Sequence, residues 1–115
     1  PVINDATLAD AQRVGLTDIV PVVENGSDAP GTILEDCSDE FRAYFDNADL
    51  VISKGQGNYE SLNEQNRNIL FMLVVKCPVI ARDIGCDIAE MVVKSTSGGT
   101  SLHKNNSIHR TISDL

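Results

Sequence analysis

Seven apolar residues in a row, Ile69-Leu70-Phe71-Met72-Leu73-Val74-Val75, stop abruptly at Lys76. With no polar residue to turn toward water, such a run fits a strand covered on both faces, as in a parallel sheet. It is far too short for the ~20 residues of a membrane span. Shorter apolar runs recur on both sides of it: Val2-Ile3, Ile19-Val20-Pro21-Val22-Val23, Leu50-Val51-Ile52 and Met91-Val92-Val93. Helix signals fill the stretches between them. Strands alternating with helices predict an α/β fold, a Rossmann-like doubly wound layer with a mostly parallel sheet.

The boundaries follow from local chemistry. Val2-Ile3 reads as the end of a buried strand. Thr7-Leu8-Ala9-Asp10 then has the capping-box pattern, and Gly15 supplies a stop for a helix reaching Val14. Asp18–Val23 reads as a second strand, with Pro21 marking an edge or an irregularity. Asn25-Gly26-Ser27-Asp28-Ala29-Pro30-Gly31 is a loop by every local signal. Ser38 caps a helix that places Phe41, Tyr44, Phe45 and Ala48 on one face, with Asp39 and Glu40 complementing its dipole. Leu50–Ile52 is a third strand, and Tyr59 to about Asn66 reads as helix. Pro78 opens a further helix at its first position and Gly85 closes it. Glu90–Lys94 reads as an edge-like strand. Beyond it, residues 95–115 are rich in Ser, Thr, Gly, Asn and His, and are expected to be a mobile polar tail.

A chain of 115 residues has room for one domain. Its first residues show no basic stretch and no apolar core, so a signal peptide is not expected. The absence of an initiating Met, with a β-branched pair at residue 2, predicts a chain cut within a domain. The formal net charge is -8, and it is uneven: residues 1–53 hold eleven acidic side chains against Arg13 and Arg42. Such a surface repels nucleic-acid phosphates, so neither a nucleic-acid nor a membrane partner is expected. Cys37, Cys77 and Cys86 show no C-x-x-C spacing, which predicts reduced thiols and a cytoplasmic setting.

In an open parallel sheet, ligands bind outside the carboxyl ends of the strands. Three predicted strands end there in polar groups: Asn4-Asp5, Ser53-Lys54 and Lys76. One carboxylate and two ammonium groups at a rim suit a cation and a phosphate, the first offering a hard oxygen and the others point charges. Gly55 and Gly57 permit close backbone approach, and the amides that follow are placed to meet an anion. Each piece also has a plainer reading. From periodicity alone Asp5 reads first as a turn residue before a capped helix, and the lysines read also as solvated strand ends. The G-x-G after the strand lacks the third glycine of a dinucleotide fingerprint, and no P-loop is present. His103 and His109 are six apart, which is not ligand spacing on a helix. Cys77 and Cys86 read as small buried apolar residues.

Four segments carry a family resemblance: Asn4-Asp5-Ala6-Thr7 with Asp10, Gly26–Gly31, Lys54-Gly55-Gln56-Gly57-Asn58-Tyr59-Glu60, and Lys76-Cys77-Pro78-Val79-Ile80-Ala81. In order and spacing they resemble the damage-control phosphatases, metal-dependent enzymes once catalogued as domain of unknown function eighty-nine. The resemblance covers residues 1–94 and implies the C-terminal portion of that α/β domain. It implies a Mg²⁺ or Mn²⁺ site, open to other divalent transition metals, in which Asp5 is one ligand and an Asp-Asn pair upstream of Pro1 supplies the others. It further implies that Lys54 and Lys76 face the substrate phosphate and that Asn58 belongs to the same loop. Larger relatives carry an arginine and a threonine where Leu73 and Val74 stand here, which points to the smaller, prokaryote-type branch.

The implied activity is hydrolysis of a small phosphomonoester, a damaged or side-product phosphometabolite. With the Asp-Asn pair upstream, residues 1–115 alone are expected to be inactive. Two alternatives come from other classes. A receiver-like signalling module would carry a phosphoacceptor aspartate at the end of its middle strand, where Lys54 stands instead. A non-catalytic assembly fragment is the other.

Overall fold

In the computed structural model, residues 5–96 and the backbone of 101–103 are described. The chain divides into two compact units, Pro1–Ala48 and Asp49–Leu115.

The first unit is built from short, locally capped pieces. Helix α1 spans Leu8–Arg13, and Thr7 and Asp10 form the reciprocal capping box the sequence predicts. After Val14, Gly15 takes a left-handed conformation (φ 78°) and a 3-10 turn follows at Leu16–Asp18. The strand expected over Asp18–Val23 does not form. Ile19 is 79% exposed, and with no partner strand and no fully buried residue among the described ones the β-branched run stays irregular up to the loop. That loop folds on itself. The Asn25 Oδ1 accepts from the Ser27 amide, Ser27 Oγ accepts from the Ala29 amide, and the Ser38 amide donates to the Asn25 carbonyl at 2.8 Å. Gly26, at φ 80°, passes so close to Ser38 that a Cβ would sit 3.1 Å from the serine's own Cβ. A second 3-10 turn, Leu34–Asp36, leads to Ser38, whose hydroxyl caps helix α2, Asp39–Asn47. Of the face expected there, Phe45 is buried, Phe41 half-buried and Tyr44 exposed.

The second unit holds the α/β layer. Strand β1 is Val51–Lys54, helix α3 Gln56–Leu62, strand β2 Ile69–Val74, helix α4 Pro78–Ile84 and strand β3 Met91–Ser95. Strand β4, Ser101–His103, completes a sheet of order β1-β2-β3-β4. Pairing is parallel between β1 and β2, through a β-α-β connection that places Lys54 opposite Met72. Here the expectation of a mostly parallel sheet meets a limit: β3 runs antiparallel to β2, and β4 antiparallel to β3. Helix α4 connects β2 to the returning strand; among the described strands, parallel pairing is confined to β1 and β2.

Strand β2 alternates rather than being covered on both faces. Ile69, Phe71 and Leu73 are buried, Leu70 and Met72 are half-buried, and Val74 is 41% exposed. The buried face joins Tyr59 and Leu62 of α3, Ile80, Ala81 and Ile84 of α4, and Val92 in one core. Phe71 meets the Tyr59 ring edge-on at 5.1 Å between centroids. Helix α4 starts at Pro78 and ends on Gly85 in the left-handed conformation, as its sequence signals require. Strand β3 is flanked on both sides, not an edge. The residues just past Lys94 also belong to the sheet's frame, since Thr96 donates from its amide to the Ile69 carbonyl and accepts the Ile69 amide on Oγ1. The Val2-Ile3 strand and most of the 95–115 tail lie outside the described residues.

Candidate functional site

Because β1 and β2 are parallel, both strands deliver their carboxyl ends to the same rim of the sheet, and both ends carry a lysine. Lys54 closes β1. The chain then turns at Gly55, whose φ of 98° is forbidden to most side chains, and enters α3. The helix therefore begins at Gln56, three residues earlier than its apolar spacing suggests. Two bonds fix the turn: the Gly55 amide donates to the Met72 carbonyl at 2.9 Å, and Asn58 Nδ2 donates to the Lys54 carbonyl at 2.9 Å. Asn58 thus acts on the backbone of Lys54.

Lys76 follows β2 after Val75, whose amide is the last to bond across to the β3 side, at the Glu90 carbonyl. The next amide, that of Lys76, donates to Gln56 Oε1 at 2.6 Å. The same carboxamide donates from Nε2 to Glu60 Oε1 at 2.8 Å and reaches Cys77 Sγ at 3.6 Å. Lys54 and Lys76 are both exposed, and among the described residues neither ammonium has an ion pair. The first turn of α3 therefore holds the backbone of both. Ser53, one residue before Lys54, is buried with its hydroxyl lacking a hydrogen-bond partner among the described residues.

Asp5 belongs to the first unit, exposed at a bend just before the Thr7 cap. Among the described residues no group of three or more His, Cys, Asp or Glu is placed to hold a metal ion. Mg²⁺ keeps its waters unless several oxygens converge, so one exposed carboxylate does not make a cation site. All three cysteines are free, and burial pushes the Cys37 and Cys86 thiols above their ordinary range, away from nucleophilic thiolate.

A second polar cluster carries no signal in the sequence. Tyr59, 1% exposed, donates its hydroxyl to Asp83 Oδ2 at 2.6 Å and accepts from Lys94 Nζ at 3.1 Å. The Lys94 ammonium also lies 5.4 Å from the Tyr59 ring centre. Burial, and then donation to Asp83, push the phenol above its ordinary value, with Lys94 opposing. These residues line a cleft of about 430 Å³ together with Asn63, Phe71 and Thr96. No spacing announces such a cluster, because its members lie 24 and 35 positions apart.

The arrangement defines an α/β domain with a basic, glycine-turned rim at the carboxyl ends of two parallel strands. Comparison with known proteins gives that class a family. The model of the damage-control phosphatase ARMT1-like domain matches residues 1–92, and the chain belongs to this family. It is 45% identical over 97 residues to an uncharacterized protein of Methanocaldococcus jannaschii, covering 81% of this chain and 32% of that one. It is 45% identical over 85 residues to a damage-control phosphatase of Pyrococcus horikoshii, covering 73% of this chain and 30% of the relative. A damage-control phosphatase of Archaeoglobus fulgidus is 40% identical over 96 residues, covering 82% and 33%. The crystal structure of a DUF89 family protein from P. horikoshii superposes with a TM-score of 0.79 at 40% identity, covering 84% of this chain and 34% of that one. The chain spans about a third of the length of the curated relatives it matches. Among the described residues no helix is long and apolar enough to cross a membrane.

Proposed function

We propose that this chain supplies the phosphate-facing rim of a divalent-metal-dependent phosphatase that hydrolyses small phosphomonoesters of damaged or side-product metabolites. The observation that carries this reading is the shared clamp on two lysine-bearing strand ends, Asn58 on the Lys54 carbonyl and Gln56 on the Lys76 amide. In phosphoryl transfer the protein's main work is positioning and charge stabilisation, because the transferring group spreads its charge over peripheral oxygens. Lys54 and Lys76 serve as two point charges for those oxygens, free of competing carboxylates among the described residues. Asn58 keeps the first of them in register. A bound Mg²⁺ or Mn²⁺ would supply further charge neutralisation, with Asp5 as one of its carboxylates and its other ligands from outside the described residues. The small phosphorylated metabolite is the partner, with no nucleic acid or membrane involved. Three unpaired thiols support a cytoplasmic setting.

Turnover of small phosphomonoesters with Mg²⁺ or Mn²⁺, measured in the full-length protein rather than in residues 1–115 alone, tests the reading. Lys54→Ala or Lys76→Ala should lower kcat/KM by about 10²-fold, the usual loss for one preorganised electrostatic contact. Lys→Arg should rescue poorly, since a planar fork does not replace a compact ammonium. Parent rates in both alanine variants would reduce these residues to solvated strand ends.

A further inference from the structure

Gln56 sits between the two lysines of the rim, and its three contacts leave it little freedom. The Glu60 carboxylate accepts only, so the amide NH₂ must face it; Oε1 is then the end presented to the Lys76 N–H. The opposite rotamer of the amide would set oxygen against carboxylate and NH₂ against N–H. The Lys76 amide is also the first one past the β2 ladder, since the preceding amide is the last taken up from the β3 side. Without Gln56 it would hydrogen-bond to water, and the Lys76-Cys77 segment would lose its link to α3 across 20 positions of sequence.

We infer that Gln56 is the positioning residue of the phosphate rim, setting where Lys76 stands relative to Lys54. The inference rests on the phosphate reading of the two lysines and names the device that makes them act as a pair. Two ammonium groups grip one phosphoryl group only at a fixed separation. Here the backbones that carry them are tied to one element, the first turn of α3, which holds the Lys54 carbonyl through Asn58 and the Lys76 amide through Gln56. Gln56 needs no contact with substrate for this. It acts through Lys76.

Inorganic phosphate, titrated into the ¹⁵N-labelled protein and followed by amide shifts, tests the inference in the parent, Gln56→Met, Lys76→Ala and the double variant. Methionine keeps the length of the stem and removes the acceptor. The parent should respond at Lys54, Gly55 and Lys76. Gln56→Met should bind phosphate about fivefold more weakly, the usual effect of losing one hydrogen bond. Its Lys76 amide should lose hydrogen-exchange protection while the melting temperature holds. In the Lys76→Ala background, Gln56→Met should cost nothing more, because the group it positions is gone. Gln56→Asn, one methylene too short to reach, is the second variant and should match Gln56→Met. Parent-like phosphate affinity in both Gln56 variants would overturn the inference and leave the lysine reading standing. An equal loss with and without Lys76 would also overturn it, assigning Gln56 to general packing. A parent that does not respond to phosphate at either lysine would remove the lysine reading and the inference together.

Discussion

The two units of this chain are held together by different forces. Of the thirteen buried hydrophobic residues among those described, only Cys37 and Phe45 lie in Pro1–Ala48; the other eleven are in the sheet unit. The first unit depends instead on local polar bonds: the Thr7–Asp10 box, the Asn25 and Ser27 turns, the Ser38 cap and the Arg42–Asp39 pair. Burial is cooperative across a core, whereas caps and turns act within a few residues of themselves. The sheet unit should therefore melt as one body and the first unit in pieces.

The sharpest way to break that contrast is to open the core. Phe71 is 1% exposed at the centre of β2 and packs edge-on against Tyr59. Phe71→Ala should cost about 3–5 kcal/mol, enough to abolish a cooperative transition in a domain of this size. Phe45→Ala, on a short surface helix, should change local helicity while leaving hydrogen exchange in β1, β2 and β3 intact. Protection factors for both variants decide it. Loss of β2 protection in Phe45→Ala would mean that the two units share a core.

A smaller effect, with a defined pH window, comes from Tyr59. Its phenol is raised above the ordinary value by burial and by donation to Asp83, so the folded state favours the protonated form. That stabilisation is complete below the unfolded phenol's value, about 10, and is lost as pH rises through the folded one. Urea midpoints should lose little to the phenol between pH 7 and pH 10 and fall above pH 10 for the parent, and fall much less there for Tyr59→Phe. At pH 7 the phenylalanine variant should itself be weaker by about 1 kcal/mol, since Lys94 and Asp83 lose their shared partner. Equal pH dependence in the two proteins would show that the phenol titrates in solvent.

What was legible in the sequence follows the same division between local and distant causes. Thr7, Ser38, Pro78 and Gly85 announced their caps because each acts on a neighbour within four positions. Strands β1 and β2 announced themselves by apolar runs, and the resemblance in Lys54–Glu60 and Lys76–Ala81 named the family. The Asp18–Val23 strand failed because β-branched residues make a strand only where a ladder and a buried face await them. The start of α3 departs from its apolar spacing for the converse reason, since Gly55 dictates the turn by its positive φ while that spacing begins only at Tyr59. Gln56, Asp83 and Lys94 stayed hidden because they act across the fold, where periodicity carries no signal.

The smallest effect lies in the first unit and runs the other way in pH. Asp10 accepts from the Thr7 amide at 2.9 Å and from the Thr7 hydroxyl at 2.8 Å, and the backbone bond foremost holds its carboxyl below the usual value. A depressed folded value means that the contribution is present above the unfolded carboxyl's range and lost as pH falls through the folded one. Helix α1 should therefore fray on acidification while Tyr59 and the sheet are untouched, the mirror image of the alkaline loss in the second unit. Cα chemical shifts of Leu8–Arg13 between pH 6 and pH 2 should drift toward coil in the parent. In Thr7→Ala they should start nearer coil and drift less, because the box is already broken. Since the group is exposed and α1 buries no residue, the global urea midpoint should scarcely register the change. A matching acid loss of protection in β2 would show that α1 and the sheet unfold as one cooperative body, and the contrast between the two units would then fail.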